Sequence, residues 1–374
     1  MECKLDLNKT YAIALEGGGA RGAYQVGAWR ALEEAGVRYN AVSGSSVGAL
    51  NGAMMAMHAR EEAENLWSNI CFSQIMNVDD DMMQRLMKRE IHGFSELKAL
   101  LKEARDVVKE GGFDIEPLRR RIAQLTDEEK IRKSDVELFV MTYSLSDRKE
   151  LELNARELQP GELPDMLLAS AYFPAFKNEK LGGKRYADGG VQDVLPLHAL
   201  LSHGYRDIIA IRLHGVGFER RVRIPKNAGI ITISPNADLG GVLNFDQEQS
   251  RANLRLGYFD AQRVLYGLRG KTYYIEKTFD EERAYRELSA MMREAAPELS
   301  LRKLNEKLLH DLGRELGEKG DYYDLLIAYL EKAAGELGID PFSVVTDEAL
   351  LGLVWEQYHI KRPKTGILRY LSRS

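Results

Sequence analysis

The stretch Asn40-Ala41-Val42-Ser43-Gly44-Ser45-Ser46-Val47-Gly48-Ala49-Leu50-Asn51-Gly52-Ala53 narrows the fold more than any other part of the chain. A short β-like segment enters, a Gly-Ser-Ser-Val-Gly turn follows, and a helix of small residues leaves. Glycines on both sides of a serine let the backbone turn sharply between strand and helix and lift one hydroxyl clear of a sheet. Ser46 is that hydroxyl, and Gly44 and Gly48 are the flanking glycines. Two glycines around a serine also occur in ordinary loops, so the surrounding sequence decides.

Upstream, Tyr11-Ala12-Ile13-Ala14-Leu15 has the length and apolar character of a buried parallel strand. It leads into Glu16-Gly17-Gly18-Gly19-Ala20-Arg21-Gly22, a helix is expected from Ala23 to Ala35, and Gly36 stands where a C-terminal cap belongs. The resulting order of strand, loop, helix, strand, turn and helix sets two glycine-rich turns at the carboxyl ends of neighbouring parallel strands. Sheets of this kind hold their ligands there.

Gly17 to Gly22 also satisfies G-x-G-x-x-G, the dinucleotide-binding fingerprint. That fold wants an acidic residue about twenty positions on to bind ribose hydroxyls, and this chain has Gly44-Ser45-Ser46 there. A second use of three glycines entering a helix is anion binding, because their N–H groups are unobstructed and the helix dipole favours negative charge. An ester carbonyl attacked by Ser46 would place its developing oxyanion near Gly18 and Gly19, with Val47 N–H as a further donor. Arg21 either braces that loop or binds a lipid phosphate.

A serine nucleophile needs a base. Neither His198 nor His203 lies in a glycine-marked turn at a strand end, and His58, His92, His214, His310 and His359 sit in ordinary surroundings. Asp188 does, between strand-like Arg185-Tyr186-Ala187 and the pair Gly189-Gly190. A lone Asp-Gly-Gly is usually a turn and no more; beside the other two motifs it becomes the candidate base.

G-G-G-A-R-G, then G-S-S-V-G, then D-G-G, in that order, resembles the patatin-like phospholipase family from about residue 11 to about residue 201. The resemblance implies a three-layer modified α/β-hydrolase fold with a mainly parallel central sheet. It implies a dyad of Ser46 as nucleophile and Asp188 as base, with no histidine, and Gly17, Gly18, Gly19 and Arg21 around the oxyanion. Gly22, Gly44, Gly48, Gly189 and Gly190 complete the motifs. It further implies hydrolysis of acyl esters of membrane lipids, with no metal or cofactor required. The alternatives are a soluble carboxylesterase or thioesterase on the same scaffold, and a lipid-binding module without turnover.

The rest of the chain adds limits. A net charge of −5 gives no reason to expect a polyanion, so nucleic acid is set aside. Cys3 and Cys71 suit isolated thiols in a reducing compartment. The amino terminus lacks the pattern of a signal peptide and no apolar run reaches membrane-spanning length, so a cytoplasmic protein meeting lipid from the water side is expected. Leu138 to Tyr143, Glu150 to Leu153, Ile208 to Leu213 and Ile230 to Ile233 read as further strands, and Asp165 to Ala171 as a helix. Residues from Ala59 to about Ile131 read as largely helical, and seven of the twelve methionines fall between Met54 and Met87. These suit either an adaptable acyl groove or, more commonly, core packing. A hydrolase domain is expected over 11–269 and a charged helical region over 270–374. The last fifteen residues, Ile360 to Ser374, carry five basic residues and no acid. Such a tail can touch anionic lipid, although a solvated or packed terminus is its commoner role. The oligomeric state is not written in the sequence.

Overall fold

A computed structural model of the protein describes residues 1–88, 111–295 and 300–361. The chain divides into two compact units, Leu5–Ala261, and Gln262–Ser374 with Met1–Lys4. The division falls inside the helix Gln247–Tyr266.

The larger unit is built on a seven-stranded sheet between layers of helix, a three-layer α/β arrangement. Its strands are β1 (Thr10–Leu15), β2 (Arg38–Ser45), β3 (Glu137–Ser144), β4 (Lys149–Asn154), β5 (Tyr186–Asp188), β6 (Asp207–Ile211) and β7 (Gly229–Ile233). The order across the sheet is β4-β3-β2-β1-β6-β7, and β5 pairs with β3 off this path. All pairings from β3 to β7 along the path are parallel. Only β4 and β5 run antiparallel, both against β3. β1 is central, and Tyr11 to Leu15 are all buried, as expected of a strand covered on both faces. β4 is the edge, with a half-exposed surface.

The first helices follow the sequence reading closely. α1 (Ala23–Glu34) ends before Gly36, whose φ of 78° is the left-handed value that closes helices. α2 (Val47–Ala56) leaves from the Ser46 turn and is buried along nearly its whole length, which explains its run of Gly, Ala and Met. α1 crosses the helix Gln247–Tyr266 with backbone against backbone. A Cβ on Gly257 would lie 1.9 Å from the carbonyl oxygen of Tyr24, and one on Gly27 1.9 Å from that of Leu254. Gly257→Ala should therefore destabilise the protein by about 1–3 kcal/mol or more, through overpacking that no rotamer change relieves. Chemical denaturation reads that loss.

In the smaller unit, helices Glu281–Ala295, Tyr322–Glu336 and Asp347–Lys361 bury Leu288, Met292, Leu326, Leu330 and Val354 in a common core. The helical expectation missed a two-stranded parallel sheet, Tyr274–Glu276 with Val344–Thr346. Three residues are too few to show a strand's alternation. Of the basic tail, residues 362–374 lie outside the described residues, as do His92 and part of the helical stretch before Ile131. Among the described residues no helix is long and apolar enough to cross a membrane.

Candidate active site

β2 ends at Ser45, and Ser46 turns the chain into α2 with φ 54° and ψ −126°, a conformation that residues bearing a Cβ rarely adopt. The turn is tight enough that a Cβ on Gly44 would lie 2.3 Å from the Gly48 backbone, and one on Gly48 2.4 Å from the carbonyl of Leu15. Ser170, the last residue of the helix Leu163–Ser170, locks the strained residue in place. Its hydroxyl accepts from Ser46 N–H at 2.9 Å and donates to the Met141 carbonyl at 2.5 Å. Ser170→Ala removes the partner of a buried N–H, so we expect a loss of about 1–3 kcal/mol of stability, measurable by chemical denaturation.

Asp188 reaches the same place from the opposite direction. Along one edge of β3, Glu137 to Met141 pair with Ala41 to Ser45 of β2. β4 fills the other edge of β3 from Phe139 to Ser144. β5 must therefore continue the β2 edge, where Thr142 to Ser144 pair with Asp188 to Tyr186. The parallel strand leaves the sheet where the antiparallel strand arrives, so consecutive β3 residues, Met141 and Thr142, stand opposite Ser45 and Asp188. Gly189 fits this junction because a Cβ there would lie 2.4 Å from the Met141 carbonyl and 2.6 Å from Ser45 Oγ.

The Asp188 side chain is buried, with 7% of the residue exposed. Its backbone N–H donates to the Tyr172 carbonyl at 3.0 Å, and Oδ1 accepts from Gly190 N–H at 2.8 Å. Burial pushes its carboxyl up to about 6, against the opposing pull of hydrogen bonds from the Ser46 hydroxyl and Gly190 N–H. Such a carboxylate is a far better proton acceptor near neutrality than an exposed one near 3.9.

The glycine loop closes a third side. Gly17 N–H donates to the Val194 carbonyl at 2.8 Å, so Gly17 fastens the loop to the segment after Asp188. Gly19, with φ 57°, begins a short 3-10 turn, and Ala20 N–H donates to the Val242 carbonyl at 2.9 Å. Among the described residues no acceptor takes the N–H of Gly18, Gly19 or Val47. Arg21 directs its guanidinium to the carbonyls of Gly240 (2.8 Å), Leu213 (3.3 Å) and His214 (2.5 Å). That is the bracing role, and it leaves the guanidinium committed to backbone. The buried carboxylate of Glu16 holds the neighbouring loop through Leu213 N–H at 2.7 Å and Gly215 N–H at 3.0 Å.

Gly17, Gly18, Gly19, Ser46 and Asp188 line one cleft, which encloses about 1200 Å³ of space including its open mouth. Its walls are almost entirely apolar, with Leu50, Met54, Leu66, Trp67, Ile75, Ile122, Leu167, Phe176, Val242 and Phe245 among them. Gly22, Gly44, Gly48, Gly189 and Gly190 shape the backbone around it without lining it. Of the described methionines in the Met54 to Met87 group, Met54 faces the cleft, while Met55, Met57, Met76 and Met83 are buried as packing. No described histidine lines it; His58 bonds Asp135, and His198 and His203 stand beside Glu152.

With this geometry in place, the family model described as Patatin-like phospholipase matches residues 13–201, half of the chain. The chain belongs to the patatin-like phospholipase family. Its curated relatives within that family match over short stretches. Lysophospholipase NTE1 of Chaetomium globosum is 49% identical over 51 residues, 14% of this chain and 3% of that protein. Patatin-like phospholipase domain-containing protein 6 of Homo sapiens is 43% identical over 68 residues, 16% of this chain and 5% of that protein. Among solved structures, VipD from Legionella pneumophila aligns over 97% of this chain and 90% of its own, at 14% identity and a TM-score of 0.43. The type III effector protein ExoU aligns over 97% and 76%, at 14% identity and a TM-score of 0.33.

Several residues that shape the patatin-like cleft escaped the sequence reading. Ser170 is an ordinary helix terminus by pattern, Val194 lines the cleft and gives its carbonyl to Gly17 N–H, and Leu213 packs under Gly18, where a Cβ would meet it at 2.9 Å. Glu16 did carry a signal, since a charged residue directly after a buried strand is unusual unless it is paired.

Proposed function

We propose that this protein is a serine ester hydrolase acting on acyl lipids, of phospholipase A or lysophospholipase type, with Ser46 as nucleophile and Asp188 as its base. The observation that carries the reading is that Ser46 and the buried Asp188 carboxylate line one apolar cleft, with the serine hydroxyl favouring the charged form of the carboxyl. In the first half-reaction Ser46 Oγ attacks the ester carbonyl and its proton passes to Asp188. The oxyanion would be met by the N–H groups of Gly18, Gly19 and Val47, each such donor being worth about 10²–10³ in rate. Collapse of the tetrahedral intermediate breaks the ester bond, and the departing alcohol takes the proton from Asp188. Water then attacks the acyl-enzyme, giving its proton to the same carboxylate; the bond to Ser46 Oγ breaks, the oxygen takes that proton back from Asp188, and the fatty acid leaves.

A fluorophosphonate probe tests the reading directly. It should label the wild-type protein at Ser46, and the Ser46→Ala variant should take no label. Mass spectrometry should find free fatty acid released from phospholipid or lysophospholipid vesicles and micelles. Absence of label and of fatty acid from folded wild-type protein would remove the proposal. A preference for short monomeric esters, with no increase when substrate forms micelles, would move the substrate from lipid to soluble esters.

A further inference from the structure

Three consecutive arginines, Arg119, Arg120 and Arg121, lie on the helix Glu116–Leu125, and they have different surroundings. Arg119 reaches Glu179 at 3.2 Å and Arg120 reaches Glu116 at 3.0 Å, both in exposed ion pairs. Arg121 turns the other way. With Leu118, Ile122 and Leu125 it occupies the spacing of one helix face, and all four line the cleft that holds Ser46. Its Nε is buried without a hydrogen-bond partner, and among the described residues no carboxylate pairs with it. A guanidinium nitrogen held there without a partner costs free energy. A leucine or methionine would fill the same wall at no such cost.

We propose that Arg121 is the counter-charge for a phosphate carried on the same molecule as the acyl chain, so that the cleft selects phosphate-bearing acyl esters over neutral ones. This rests on the hydrolase reading above and names the group that discriminates between its substrates. A planar guanidinium fork matches two phosphate oxygens at once. The apolar walls around it require that the anion arrive attached to a hydrocarbon chain. Arg21 is not among the residues lining the cleft, and its Nε and Nη1 donate to three backbone carbonyls.

The test separates binding from turnover. In the full-length Ser46→Ala protein, calorimetry would compare a short-chain alkylphosphocholine with a 1-O-alkylglycerol of equal chain length, both below their micelle concentrations, and with inorganic phosphate alone. The phosphate-bearing amphiphile should bind about tenfold to a hundredfold more tightly than the neutral one. Adding Arg121→Gln should erase that preference while leaving the neutral ligand within about twofold, and Arg121→Lys should restore part of it. On the active protein, Arg121→Gln should lower kcat/KM for a lysophospholipid by the same factor and spare the matching monoacylglycerol. Equal losses on both ligands would mean that the arginine only packs against the wall, and unchanged binding of both would mean that it contacts neither; each overturns the proposal. Inorganic phosphate binding as tightly as the amphiphile would overturn it too, by making the subsite one for free phosphate. A preference lost with Arg121→Gln in a protein that hydrolyses nothing would sink the hydrolase reading and leave the anion subsite standing.

Discussion

Ser46→Ala should reduce ester hydrolysis by about 10⁴-fold or more, since loss of the nucleophile leaves only what the oxyanion donors and the cleft contribute. The protein should stay folded. Alanine keeps the Cβ and with it the strain of φ 54°, so the substitution neither relieves nor worsens the backbone. It removes a hydroxyl that favours the charged carboxylate, which should drive the Asp188 carboxyl further up. Ser46→Gly is the informative companion. Glycine reaches positive φ freely, so this variant should be equally inactive yet about 1 kcal/mol more stable than Ser46→Ala. Urea denaturation of the two variants beside a turnover assay reads both effects. Substantial hydrolysis by either would remove Ser46 from the mechanism.

Asp188→Asn should cost about 10³–10⁴-fold in kcat/KM, and the wild-type rate should itself depend on this group's protonation. With a carboxyl near 6, the base is available only above that pH, so kcat/KM should rise through about 6 and level off beyond it. Stability should move the other way. A carboxyl held above its unfolded value binds its proton more tightly in the folded chain, so folding loses free energy as pH rises from about 4 to about 6. The asparagine variant escapes that loss. It should be more stable than wild type at pH 8 by up to about 3 kcal/mol, with the difference vanishing below about pH 4. Denaturation midpoints of both proteins across pH 4 to 8 measure this. A variant less stable than wild type at pH 8 would mean that burial costs the carboxylate little.

The features legible in the sequence are those a few adjacent residues can encode. A sharp turn between strand and helix needs glycines at Gly44 and Gly48, and buried parallel strands need runs such as Tyr11 to Leu15; both announce themselves locally. The strands from β1 to β7 and the family could be read on that basis. What escaped the reading depends on residues far apart in the chain. Nothing near Ser170 says that its hydroxyl will meet the Ser46 N–H, and nothing near Gly17 says that its own N–H will be given to Val194. Arg21 and Arg121 are equally cationic in the sequence. Only the fold commits the first to carbonyls and leaves the second among apolar side chains. The paired strands Tyr274–Glu276 and Val344–Thr346 were hidden for a related reason, because each is defined by the other and not by its own pattern.

The head-on meeting of β2 and β5 along β3 makes one peptide linkage, Met141 to Thr142, the ruler for the whole arrangement. Loops between the serine and the aspartate that touch neither the cleft nor this junction can change length without disturbing the pair, provided that the junction keeps its count. One residue inserted there would do more harm than an entire extra helix placed in any connecting loop.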